Sequence, residues 1–254
     1  MFVPKEKVKN TVKNPRKLFL YSHTKVGKTT LLSGLDNCLI IDTEDGSNFV
    51  DGYIVNLKEE IRKNKDLSPI KVLYDLSNEL RESEKKFDYI AIDTVTALQD
   101  IAEDYATLMY KTTAVGKNFK GKSVLELPQG AGYYWLRKAF STIYSWYEGL
   151  SKYLILVGHT KLSSILKDGK ELNARDIELV GKLKQIISAD CDAIGYLYRH
   201  KENPNQVIVS FKPEALDLAT GARPEHLRNQ EFVISEYNPE TKQFNFYWDK
   251  IFIK

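Results

Sequence analysis

No run of about 18 consecutive apolar residues occurs in this sequence, so no membrane-spanning helix is expected. Cysteine is scarce. Cys38 and Cys191 both sit in apolar, strand-like surroundings with no metal-ligand spacing around them, and they read as buried thiols of a reducing compartment. The N-terminus, MFVPKEKVKN, carries charge but no apolar core, so it does not read as a secretory leader. A strong charge of one sign is missing too. With 37 basic and 34 acidic residues the net charge is +3, too small to argue for nucleic acid without regard to where the charges sit. Internal repeats and low-complexity tracts are also lacking. A cytoplasmic protein without a membrane partner is the simplest expectation.

What is present is an alternation of buried strands and amphipathic helices. At 254 residues the chain fits one medium α/β domain. Residues 1–16 are polar and basic, with Pro4 and Pro15, and are expected to be an extended lead-in. KLFLY (17–21) is a short apolar strand that runs directly into a glycine–lysine loop, and Thr29 to Leu35 begins a helix. NCLIID (37–42) and FDYIAID (87–93) are continuously apolar, as strands covered on both faces are. Val72, Leu73, Leu76 and Leu80 recur at helical spacing and predict a helix over roughly 70–84. Val95, Leu98, Ile101, Ala102, Tyr105 and Leu108 mark the next, and Leu136, Phe140, Ile143, Tyr147 and Leu150 another. YLILVG (153–158) is a further core strand. Two polar stretches interrupt the pattern. Lys111–Pro128 is expected to be a mobile surface loop, and Thr160 to about Glu178 a second irregular segment. Residues 192–199 and 207–211 predict a late strand pair joined by KENPN, and the tail KQFNFYWDKIFIK an edge strand. The expected fold is therefore α/β, with a mostly parallel central sheet, helices on both faces and late antiparallel strands. The expected organisation is a lead-in over 1–16, one α/β domain over 17–236 and a C-terminal strand or tail over 237–254.

The glycine–lysine loop carries the chemistry. Ser22 to Thr29 reads SHTKVGKT, a Walker pattern with serine at the first glycine position. Ser22, His23, Thr24, Lys25, Val26, Gly27, Lys28, Thr29 and Thr30 are the candidate nucleotide-binding residues. Gly27 lets the backbone approach phosphate, and successive N–H groups face the anion. Lys28 supplies a cation to the β- and γ-phosphates, and Thr29 offers its hydroxyl to Mg²⁺. Asp93 ends an apolar strand and is expected to organise Mg²⁺ with Thr29. Glu44, just past CLIID, is placed to polarise an attacking water, although Asp42 and Asp45 are its neighbours and the sequence leaves open which acid points inward. No second histidine or cysteine lies at metal-ligand spacing from His159, so zinc is not expected.

The order GKTT, CLIIDTED, YIAIDT, LILVGH resembles the RecA-like branch of P-loop NTPases over roughly residues 17–228. More narrowly it resembles phage nucleotide-binding proteins with a AAA/RecA core, among them small single-strand-annealing recombinases. The departures are Ser22 and the histidine at 159, where RecA itself has glutamine. The resemblance implies ATP and Mg²⁺ as cofactors, Glu44 as the catalytic glutamate and His159 as the γ-phosphate sensor. It implies a trans-acting cation from a neighbouring subunit, for which Lys212 and Arg223 are candidates, with Arg199 a third. It also implies single-stranded DNA bound by the two polar stretches. Lys111, Lys117, Lys120 and Lys122 with Phe119 and Tyr110 combine cations and aromatic faces, and Lys161 and Lys167 belong to a second set. A DNA-stimulated, Mg²⁺-dependent ATPase acting in recombination or annealing is the leading expectation. It would assemble as a ring or filament, with a single-strand-binding or replication protein as a further partner, in host cytoplasm if the origin is a phage. A replication motor or helicase loader, and a small-molecule P-loop kinase, are the alternatives.

Overall fold

A computed structural model describes residues 3, 5–167, 170–214 and 219–254, with side chains 165–172 outside the description. In chain order the elements are β1 Lys17–Ser22, α1 Lys28–Ser33, β2 Cys38–Asp42, β3 Tyr53–Asn56, α2 Leu57–Lys63, α3 Pro69–Glu82, β4 Tyr89–Asp93 and α4 Val95–Lys111. There follow α5 Ala131–Tyr147, β5 Tyr153–Lys167, β6 Lys170–Ile177, α6 Leu183–Asp190, β7 Ala193–Arg199, β8 Gln206–Ser210, β9 Gly221–Ala222, β10 Glu231–Asn238 and β11 Gln243–Phe246.

Among the described residues the central sheet runs β11-β10-β8-β7-β1-β5-β4-β2-β3. From β7 to β3 neighbouring strands are parallel, and β7, β8, β10 and β11 pair antiparallel. The mostly parallel sheet with late antiparallel strands is thus the fold observed. Alternation sorts each strand between two cores. Phe19 and Tyr21 of β1 join Ile41, Ile92 and Leu156 under α3, α4, α5 and α6. Leu18 and Leu20 point the other way, to Leu31 and Leu32 of α1 and to Trp248, Ile251 and Phe252 near the C-terminus. Strand β10 crosses the boundary expected at 236/237, and the tail beyond it packs into this second core. Cys38 and Cys191 are free and buried, and burial pushes both thiols up to about 12. No helix among the described residues is long and apolar enough to cross a membrane.

Both polar stretches differ from expectation. The 111–128 segment is not a mobile loop: it winds into three short 3-10 turns, Gly116–Asn118, Val124–Glu126 and Pro128–Gly130. Val124 is fully buried, and a capping box of Ser123 and Glu126 starts the second turn. Thr160–Glu178 is not irregular either. Strand β5 continues through Thr160 to Lys167 and folds back as β6, an antiparallel ladder with Thr160 opposite Ile177. The sequence reading also missed β3, α2, α6 and β10, each of eight residues or fewer.

Candidate functional site

Three strand ends meet at one level because of register. Ser22 at the end of β1 lies opposite His159 on β5, and Asp93 at the end of β4 lies opposite Val157 of β5 and Asp42 of β2. The place of β5 between β1 and β4 sets His159 between the loop after β1 and the acids after β2 and β4.

The loop from His23 to Gly27 is exposed at His23, Thr24 and Lys25 and anchored by buried Val26. Left-handed backbone falls on Lys25 (φ 62°) and Gly27 (φ 110°). Ser22 continues the strand, so serine suffices where the pattern has its first glycine. The Ser22 hydroxyl donates to His23 O at 2.8 Å, and Lys28 Nζ lies 3.3 Å from the same Oγ. The Gly27 carbonyl accepts from Leu31 N at 2.9 Å and opens α1. Thr30 follows inside α1, where its carbonyl accepts from Ser33 Oγ.

Lys28 is 8% exposed. Its Nζ donates to His23 O at 3.2 Å and lies 3.3 Å from His159 Nδ1. Burial lowers its pKa, against the pull of the Asp93 and Glu44 carboxylates. The other ring nitrogen of His159, Nε2, is 3.0 and 3.1 Å from the two Glu44 oxygens, and the Thr94 hydroxyl donates to Glu44 Oε1 at 2.8 Å. Burial would raise the Glu44 carboxyl, but hydrogen bonds from His159 and Thr94, with the charges of His159 and Lys28, hold it below its ordinary value.

Of the three acids after β2, only Glu44 faces His159 and Lys28. The Asp42 carboxylate is consumed by its own turn, accepting from the backbone N–H groups of Glu44, Asp45 and Ser47 and from the Ser47 and Asn56 side chains. Asp45 accepts from Asn56 and from Arg62 at 2.6 Å.

Thr29 Oγ1 donates to Asp93 Oδ2 at 2.5 Å, so the two expected Mg²⁺ ligands already converge. Burial pushes Asp93 up to about 6, the Thr29 hydrogen bond and Lys28 opposing and Asp42 and Glu44 adding to the rise. A buried carboxylate so unfavourably charged, beside a hydroxyl, suits a hard divalent cation. Among the described residues no group of three His, Cys, Asp or Glu side chains forms a cage.

Other expected residues lie elsewhere. Arg223 is at the opposite end of β1, where its guanidinium donates to Ala189 O at 2.6 Å and lies 3.4 Å from Asp192. Lys212, after β8, lies 3.3 Å from Glu231. Neither belongs to the phosphate loop of its own chain. Arg199, however, reaches that loop, donating to Lys25 O at 3.4 Å and to Pro204 O at 2.8 Å. Lys111, Lys117, Lys120 and Lys122 are exposed. Phe119 is half-buried and meets the Tyr110 ring edge-on at 5.3 Å, with the Lys111 ammonium 5.9 Å from its centre. Lys161 Nζ donates to Leu179 O at 3.1 Å. Lys167 ends β5, and its side chain lies outside the described residues. Thr43 and Thr94, which join the β2 and β4 ends, were missed by the sequence reading. Thr94 was visible there only as a threonine preceding a helix.

No curated protein sequence matches this chain. Among solved structures it is similar to the RadB recombinase, at 12% identity and a TM-score of 0.42 over 89% of each chain. It is also similar to the flagellar accessory protein FlaH from Methanocaldococcus jannaschii, at 14% identity and a TM-score of 0.34 over 86% of this chain and 84% of that one. Residues 14–220 match the AAA domain family, which spans the phosphate loop and every strand from β1 to β8. The chain belongs to the AAA domain family.

Proposed function

We propose that this protein hydrolyses ATP with Mg²⁺ and couples that reaction to single-stranded DNA in recombination or annealing. The observation that carries the hydrolytic half is the continuous chain Lys28–His159–Glu44 above the phosphate loop. Lys28 Nζ, the cation that would face phosphate, lies 3.3 Å from His159 Nδ1. Water attacks the γ-phosphorus, its proton passes to Glu44, and the bond to the β-phosphate oxygen breaks to leave ADP and phosphate. His159 touches both the cation that faces phosphate and the carboxylate that faces water, which suits a γ-phosphate sensor. Thr29 and Asp93 would hold Mg²⁺, which would supply charge neutralisation on the phosphates.

The DNA half rests on the resemblance and on charge placement. Four exposed lysines lie in the segment that carries the Tyr110–Phe119 pair, with Lys111 nearest its Phe119 ring, and Lys161 and Lys167 lie on the hairpin that leaves His159. Lys212 and Arg223 act, in this reading, on the nucleotide of a neighbouring copy in a ring or filament.

Steady-state phosphate release from MgATP, with and without single-stranded DNA and with Lys28→Ala as blank, tests both halves. Turnover that rises several-fold with DNA and vanishes in Lys28→Ala is expected. A wild-type protein without turnover overturns the ATPase reading. Turnover indifferent to DNA removes the DNA half and brings a protein partner or a small-molecule acceptor forward.

A further inference from the structure

We propose that Thr94 is a positioning residue that fixes the water-activating carboxylate of Glu44. This rests on the reading of Glu44 as general base. The Thr94 hydroxyl has one proton to give. Its oxygen accepts from Ala97 N at 3.2 Å as the N-cap of α4, and the proton goes to Glu44 Oε1 at 2.8 Å, since an ionised carboxylate can only accept. Thr94 is 1% exposed, so its hydroxyl is shielded from water at the donor end of that bond.

The backbone beneath it is clamped as well. Thr43 Oγ1 accepts from Thr94 N at 2.7 Å and donates to Thr94 O at 2.9 Å, while Thr43 N donates to Asp93 O at 2.8 Å. Thr43 precedes Glu44 directly, and both threonines are buried. The ends of β2 and β4 are therefore locked together immediately below the carboxylate, and Thr94 holds the carboxylate from above that lock.

The division of labour follows from the oxygens. Oε1 receives Thr94 and His159, whereas Oε2 receives His159 alone and keeps acceptor capacity for a water. A cleft of about 370 Å³ lined by Glu44, Thr96, Gln99 and Asp100 opens beside this group. Without the Thr94 proton, Glu44 hangs on His159, the side chain that also answers to Lys28. A base free to swing spends less time aligned, which lowers kcat while substrate binding through the phosphate loop stays intact.

The test is ATP turnover together with equilibrium ATP affinity for Thr94→Ala, Thr94→Ser, Glu44→Gln and the double variant Glu44→Gln/Thr94→Ala. Thr94→Ala is expected to lose about ten- to hundredfold in kcat, the range for a hydrogen bond to a charged group, with KM and ATP affinity changed less than about twofold. Thr94→Ser, which keeps the proton and the cap, is expected within about threefold of wild type. In the Glu44→Gln background Thr94→Ala is expected to add little, because both act through one carboxylate. Should Thr94→Ala not fold, Thr94→Cys keeps a similar shape but donates poorly, and carries the same expectation. Unchanged kcat in Thr94→Ala with a silent Glu44→Gln overturns the positioning role alone. So does a fall in ATP affinity that matches the fall in kcat, or full additivity in the double variant. Normal turnover in Glu44→Gln overturns the general-base reading beneath it.

Discussion

Asp42, Glu44 and Asp45 share one turn, yet their carboxylates face a backbone, a histidine and an arginine respectively. Composition cannot assign those directions, because all three are acids at the end of an apolar strand; the partners that sort them, Asn56, His159 and Arg62, come from later elements. The electrostatics of Glu44 give a pH prediction. A general base works ionised, so kcat falls as pH drops through the folded pKa of Glu44. That value is held below the ordinary 4.5, so the limb that belongs to Glu44 lies below it, under the one set by Asp93, which is pushed up to about 6. The stability linkage has the same sign: the unfolded chain binds the proton more readily, so the contribution is present above the unfolded value and fades as pH falls through the folded one. His159→Ala removes a hydrogen bond and a charge that lower Glu44. Its kcat–pH profile is expected to show the acid limb displaced to higher pH, and a limb that stays in place would count against the His159–Glu44 coupling.

At the scale of elements, the connection between α4 and α5 shows how packing replaces mobility. A Cβ on Gly132 would lie 1.9 Å from the Val124 carbonyl oxygen, and one on Gly116 2.0 Å from that of Tyr110. These glycines let the 3-10 turns lie directly against the helices. Gly132→Ala is expected to destabilise the protein by about 2–4 kcal/mol, as overpacking against rigid backbone does. Denaturant unfolding monitored by circular dichroism checks this. A lysine-rich, glycine-containing segment reads as loop in sequence because its fixed contacts, such as Val124 N to Thr107 Oγ1 at 3.0 Å, lie across elements. The hairpin was misread for a related reason: its ladder joins β5 to β6, a pairing across two segments that neither polar run announces in sequence.

At the scale of the whole molecule, the chain closes on itself behind the phosphate loop. Trp248 is 6% exposed, donates from Nε1 to Leu31 O at 2.9 Å and packs with Phe252, which meets Tyr89 and Tyr153 of two core strands. The last turn thus carries part of the core that supports α1. Trp248→Ala is expected to cost about 3–5 kcal/mol and to lower Tm by on the order of 10 °C. Thermal unfolding with and without MgATP measures it, with the nucleotide raising Tm in both proteins. A Tm unchanged by the substitution would mean that the tail is a dispensable addition to the sheet.

The sequence by itself determined the phosphate loop, the parallel strands around it and the acids at their ends. Each of these is local: an apolar run, a turn and a helix start within one short window set the backbone before any distant contact forms. Tertiary structure alone decided that β5 enters between β1 and β4, which brings His159 against both Lys28 and Glu44. It also decided that Thr43 and Thr94 bind each other across two strand ends, and that the described residues of both polar stretches take regular structure. These features depend on which strands become neighbours. Strand neighbours are fixed by burial of whole sheet faces, which no window of sequence contains.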